Sequence, residues 1–277
     1  MYKNCTFDSI PNEPMHPWKS DTHFWPVGEE RREVLTGYFA AVTAMDASIG
    51  KVLDELENLN ILDDTLIFFM SDNGMNMGHH GIFGKGNGTF PLNLYDTSVK
   101  IPAIAYHPGT IPAGIVCESL LCQYDFMPTL LDYMCIENTE AAHLPGKSFA
   151  DILKGKDTDI NENVVVYDEY GPSRMIRSRE WKYIHRYPYG PHELYDLIND
   201  PGETDNLYSD KTKLGIVAEM KSKLDSWFLK YSNPDIDAAR EPICGWGQVA
   251  LPGIHSKGAK AFNQNEEELF RSLGWIE

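Results

Sequence analysis

The strongest constraint on the fold is a long helical repeat that runs into a short apolar strand. Leu35, Tyr38, Phe39, Val42, Met45, Ile49, Val52, Leu53 and Leu56 recur at spacings of three and four, the pattern of an amphipathic helix beginning at Glu29. Asp63-Asp64 interrupts it, and Thr65-Leu66-Ile67-Phe68-Phe69-Met70 follows. A run that short and that apolar reads as a strand covered on both faces, as in a parallel sheet between helices. Helix followed by buried strand is half of a βαβ unit whose earlier strand is not in this chain.

The remaining texture is mixed. Residues 1–28, with Pro11, Pro14, Pro17 and Pro26, read as an irregular entry, and 71–90 as a Gly- and Asn-rich loop. Ile101 to Tyr106 suggests a second strand and Tyr124 to Met134 a helix. Val164 to Tyr167 and Met175 to Tyr187 look like the two arms of an antiparallel hairpin turning at Gly171-Pro172. Leu214, Val217, Met220, Leu224 and Phe228 predict a helix over 209–231, and Glu266 to Leu273 a short one in the tail.

Composition excludes several classes. With 24 Lys+Arg against 41 Asp+Glu in 277 residues, the net charge of −17 disfavours nucleic acid and anionic membrane surfaces, both of which are held by Lys and Arg. No apolar run approaches the roughly 20 residues of a membrane helix, and the first residues form no secretory apolar stretch. Cys5, Cys117, Cys122, Cys135 and Cys244 are odd in number and lack C-x-x-C spacing, which argues for buried thiols with at most a bridge or two.

Chemistry concentrates at Ser71-Asp72-Asn73-Gly74, directly after the first strand. Loops at the carboxyl ends of strands are where open α/β sheets collect ligands. Asp72 and Asn73 offer the anionic and neutral oxygens that hard cations prefer. Gly84-Lys85-Gly86 places an ammonium between glycines, suited to a tetrahedral oxyanion. His79 and His80 lie between them. His185, Arg186 and Tyr189 are candidates for the substrate approach.

These segments occur in an order that resembles the sulfatase family. Tyr38 to Val42 with Asp46, Thr65 to Gly74, His80-Gly81, Lys85 and Val99-Lys100-Ile101-Pro102 are similar to its central part. Asp125 to Leu131, Leu144-Pro145-Gly146-Lys147-Ser148, Trp181-Lys182-Tyr183, Glu193 to Leu197, Asp200-Pro201 and Glu203 to Leu207 resemble its later motifs. The resemblance implies an α/β fold with an alkaline-phosphatase-like mixed sheet flanked by helices and a small C-terminal antiparallel subdomain. On this reading residues 1–155 belong to the catalytic domain and 156–277 to the subdomain and tail. It also implies hydrolysis of sulfate monoesters of a small molecule or glycan with a divalent cation, usually Ca²⁺. Asp72 and Asn73 would be metal ligands, Lys85 the sulfate-binding residue, and His80 and His16 the catalytic histidines. Phosphatase-like relatives tend to carry His at position 73, so Asn73 favours sulfate. A phosphate or phosphonate ester hydrolase and a non-catalytic anion-binding domain are the alternatives.

The sequence departs from the family pattern at the nucleophile. No Cys here stands in Cys/Ser-x-Pro/Ala-x-Arg, and Pro172-Ser173-Arg174 falls in the hairpin. The acidic pair that the family places near its start is also missing. The expectation is a catalytically incomplete chain, completed by a missing N-terminal half on the same or another polypeptide, with an uncovered apolar edge that favours association or a homo-oligomer.

Overall fold

The computed structural model describes residues 1–19, 25–156, 158–168, 172–187, 190–234 and 237. They form two compact units: residues 1–116 with 153–156, and residues 117–152 with those from 158 onward. Tyr189, Gly171, Cys244 and the expected tail helix lie outside the described residues.

In the first unit the long repeat becomes α1 (Gly28–Asn58), with Glu29 and Glu30 in its first turn, where acidic side chains complement the helix dipole. Its beginning is anchored: Leu35 is fully buried against Phe7, Met77 and Phe83. Aromatic contacts from Tyr2 and Phe7 to Phe39 tie down the entry segment. Further along, Tyr38, Val42, Met45 and Val52 are exposed, so four of the nine stripe residues are uncovered.

Strands β1 (Ile67–Met70), β2 (Asn76–Met77) and β3 (Phe83–Gly84) follow, then a single-turn helix α2 (Asp96–Val99) and β4 (Ala103–Tyr106). Two expectations are corrected here. The β1 strand is antiparallel to β4, pairing Ile67 with Tyr106 and Phe69 with Ile104; an apolar run of this length carries no signal for strand direction. It is half-buried rather than covered on both faces, and Ile104 and Tyr106 opposite it are exposed. The 71–90 segment contains the β2–β3 hairpin, with Asn76 opposite Gly84, which its Gly and Asn content concealed.

The second unit contains α3 (Phe126–Tyr133), α4 (Ala150–Leu153, its last residue in the first unit), an antiparallel sheet β5 (Val164–Tyr167), β6 (Ser173–Arg177), β7 (Trp181–Arg186) and β8 (Glu193–Asp196), and α5 (Leu214–Tyr231). The register aligns Val165, Ile176, Tyr183 and Leu194 in one row across all four strands. That row packs on Met220, Leu224 and Phe228 of α5, and each such buried side chain contributes about 1.5–3 kcal/mol.

The expected arm 175–187 is two strands. Ser178 Oγ accepts the N–H groups of Glu180 and Trp181 at 3.2 and 2.9 Å, making a turn without Gly or Pro. The last helix starts at Leu214, not 209, because Asp210 Oδ1 accepts the Thr212 N–H and hydroxyl at 2.8 Å each and holds a tighter turn. The thiols are also less buried than expected. Cys5, Cys117, Cys122 and Cys135 are free, and Cys117 and Cys135 are exposed.

The family motifs at 125–131 and 144–148 meet in this unit. Asp125, fully buried, accepts the Cys122 and Lys147 N–H groups at 2.9 Å each and Asn161 Nδ2 at 2.8 Å. A side chain on Gly146 would collide with the Tyr124 carbonyl. Both motifs therefore do structural work here, a role their spacing does not reveal.

Candidate active site

The tip of β1 is folded by its own polar residues. Asp72 Oδ1 accepts the Asn73 N–H at 2.9 Å, and Ser71 Oγ donates to the Asn73 carbonyl at 2.8 Å. Asn73 Nδ2 donates to the Gly74 carbonyl at 2.8 Å, which leaves its Oδ1 facing outward. Gly74 is needed for a close approach: its N–H donates to the Ser98 carbonyl at 2.9 Å, and an added Cβ would strike the Thr97 carbonyl.

Lys85 comes to this tip from the loop after β3. Its Nζ donates to Asn73 Oδ1 at 2.9 Å and lies 3.9 Å from Asp72 Oδ2. Three residues singled out from sequence thus converge across thirteen positions. The side chains of Lys85 and Asp72 are 47% and 81% exposed. Their ion pair is accordingly worth at most about 1 kcal/mol, and the cluster is open to an incoming group.

His16 and His80 gather on a different residue, Tyr95. The His80 ring lies parallel to Tyr95 with centroids 3.8 Å apart, and His16 Nε2 is 3.2 Å from the Tyr95 hydroxyl. The His16 N–H also donates to the Gly81 carbonyl at 3.0 Å. Gly81 has φ +65°, and any Cβ there would strike the Pro14 carbonyl, so a glycine next to His80 lets the entry segment close over it. His79 is partly buried; that burial lowers its pKa below the ordinary value, with Glu13 opposing. Sequence reasoning missed Tyr95, which lies between the segments it assigned. It also missed Asn76, Asn93 and Ser98, buried polar residues behind the loop.

Asp72 and Asn73 supply two hard oxygen donors and one formal charge, whereas Ca²⁺ takes 6–8 oxygens. Among the described residues no group of three or more His, Cys, Asp or Glu is placed to hold a metal. The two donors fit a cation as part of a shell, and they do not complete one. Arg186 does not face a substrate: it is buried and paired with Glu193 at 2.8 Å. His185 stacks on His192 with centroids 4.1 Å apart. No helix among the described residues is long and apolar enough to cross a membrane.

The model of the N-sulphoglucosamine sulphohydrolase C-terminal region matches residues 78–229, more than half the chain, and the sulfatase model matches residues 10–136. The chain belongs to the sulfatase family. An ulvan-active sulfatase of Formosa agariphila is 25% identical over 93% of this chain and 55% of its own length. A protein solved in complex with its substrate D-glucosamine-2-N,6-O-disulfate is 28% identical, with a TM-score of 0.66 over 75% of this chain and 43% of that one. The phosphonate monoester hydrolase of Agrobacterium radiobacter is 26% identical, with a TM-score of 0.62 over 73% and 42%. The α/β fold of the alkaline-phosphatase type, with its C-terminal antiparallel sheet, is the fold of this sulfatase chain. The chain spans about half the length of the curated relatives it matches, or less: 55%, 38% and 41% for the first three.

Proposed function

We propose that this chain carries the lysine side of a sulfatase active site, serving hydrolysis of sulfate monoesters on a small sugar or glycan. The observation that carries the reading is the convergence of Lys85 on Asn73 and Asp72, at 2.9 and 3.9 Å. An ammonium held there stabilises negative charge on the sulfuryl oxygens as the ester bond breaks, and does so without reorganisation at the moment of reaction. Asp72 and Asn73 would hold a divalent cation, Ca²⁺ by family resemblance, whose remaining ligands come from elsewhere. That cation supplies further positive charge at the sulfuryl group. His16 or His80, both on Tyr95, would protonate the leaving alkoxide.

The nucleophile motif is missing from these 277 residues, so the chain by itself has no starting point for covalent catalysis. Substrate identity follows the relatives: one is named for ulvan and another was solved with a sulfated glucosamine. The test is an assay of the protein as its own cells make it, against glucosamine 6-sulfate, an aryl sulfate and phenyl phenylphosphonate. Sulfate release is expected, with Lys85→Ala lowering kcat/KM by about 10²–10³-fold. Preferential cleavage of the ester bond of phenyl phenylphosphonate would replace this reading with the second one, which the structural likeness to a phosphonate monoester hydrolase favours. Turnover by the purified 277-residue chain alone would contradict its incompleteness.

A further inference from the structure

We infer that Ser98 is a positioning residue that sets the reach of Lys85 toward Asn73, acting through Asn93 and Asn76. The inference rests on the reading of this cluster as a sulfate site.

Lys85 and Asp72 are too exposed to fix one another, so the geometry must be set by the backbone beneath them. That backbone is held by side chains with almost no solvent exposure: Asn76 at 0%, Asn93 at 1% and Ser98 at 3%. Ser98 Oγ donates to Asn93 Oδ1 at 2.6 Å and accepts from Asn76 Nδ2 at 2.7 Å. Asn93 Nδ2 donates to the carbonyls of Lys85 and Gly86 at 3.2 Å each. Asn76 Nδ2 also reaches the Gly84 carbonyl at 3.1 Å, and its Oδ1 accepts from the Thr97 hydroxyl at 2.5 Å. The main-chain carbonyl of Ser98 meanwhile receives the Gly74 N–H at 2.9 Å.

One residue therefore grips both halves of the cluster. Its carbonyl holds the strand tip beside Asn73, and its hydroxyl, through two amides, holds the loop on either side of Lys85. Replacing that hydroxyl by hydrogen leaves the first grip intact. It loosens the second, because Asn93 Oδ1 loses its donor and Asn76 Nδ2 one acceptor in a site that water does not reach, while the bonds from these amides to the Gly84, Lys85 and Gly86 carbonyls remain but are less firmly oriented. The Lys85 loop is then held less firmly relative to Asn73, and sites of this kind lose function at displacements of about 1 Å.

Two measurements on the 277-residue protein test the inference. Hydrogen exchange is expected to accelerate in 84–93 in Ser98→Ala, with the Gly74 amide unchanged, and to recover in Ser98→Thr, which keeps the hydroxyl. Acceleration confined to 96–99 would overturn the coupling. Titration with inorganic sulfate is expected to show about a tenfold weaker affinity in Ser98→Ala, with Ser98→Thr near wild type. Leu35→Ala, which weakens the core of the same unit, should lower Tm and leave the sulfate affinity alone. Equal loss of affinity in Leu35→Ala and Ser98→Ala would make Ser98 merely structural. If Ser98→Ala does not fold, Asn93→Ser, which shortens the link to Lys85, is expected to show the same pair of effects. Wild-type protein that binds no sulfate would overturn the sulfate-site reading, and the exchange experiment would still decide the coupling.

Discussion

His80 lies flat on Tyr95, the two rings 3.8 Å apart and within 5° of parallel, although φ at His80 is +53°. A non-glycine residue in that region of backbone space is held there by its surroundings, and the buried Tyr95 ring is one of them. Tyr95 also reaches His16 through its hydroxyl, so one aromatic residue places both candidate histidines. Tyr95→Phe keeps the stack and loses one hydrogen bond, at an expected cost of about 0.5–1.5 kcal/mol. Tyr95→Ala should cost about 3–5 kcal/mol, as other buried aromatics do. Urea denaturation checks both; equal effects from the two variants would show that the ring surface contributes nothing.

The β7–β8 hairpin makes the second unit sensitive to acid. Burial depresses the pKa of His185 to about 3 and that of His192 to about 4, from 6.5. Below pH 6.5 the unfolded chain takes up protons that the folded one refuses. Stability from these groups is therefore complete above pH 6.5 and is lost as the pH falls toward 4. The expected result is a decline in Tm over that window, flattened in His185→Gln and His192→Gln. A Tm that does not change between pH 7 and pH 4.5 would count against it.

Two closely packed features of the second unit should tolerate no change. A methyl group on Gly146 meets the Tyr124 carbonyl, and Gly146→Ala is expected to lower stability by several kcal/mol or prevent folding, on the order of the tail of point-mutant effects. Lys182 and Glu203 form an ion pair at 2.5 Å with side-chain exposures of 0% and 2%. Glu203→Ala leaves a buried ammonium without its carboxylate, at an expected cost of about 3–5 kcal/mol. Thermal unfolding of both variants settles the point, and a Tm within a degree of wild type in either would contradict the assignment.

The β1–β4 ribbon is apolar on both faces, with Ile67, Phe69, Ile104 and Tyr106 on one and Phe68, Met70, Ala103 and Ala105 on the other. Ile104 is 62% exposed. Such a surface favours association of copies of this chain. Light scattering is expected to show mass rising with concentration, with Ile104→Lys shifting the protein toward monomer at little cost in stability. A concentration-independent monomer would contradict this.

Much of this was legible in the sequence, for identifiable reasons. The helix over 29–58 was readable because its apolar spacing is long and regular, and the β1 tip because Asp-Asn-Gly follows a compact apolar run. Lys85 could be paired with Asn73 only through family resemblance, since twelve residues of Gly-rich loop carry no distance information. The antiparallel pairing of β1 was not legible, because Ile, Phe and Met favour either direction equally. Nor was the Ser98 network, since Asn and Ser in a loop look the same whether they face water or bind one another in the interior.

The most direct test of the central claim is a titration of the 277-residue protein with inorganic sulfate, followed through its backbone amide resonances. Shifts confined to Asn73, Gly74, Lys85 and Gly86, and abolished in Lys85→Gln, are the expected result. Shifts elsewhere, or the same affinity in Lys85→Gln, would show that Asp72, Asn73 and Lys85 do not form a sulfate site.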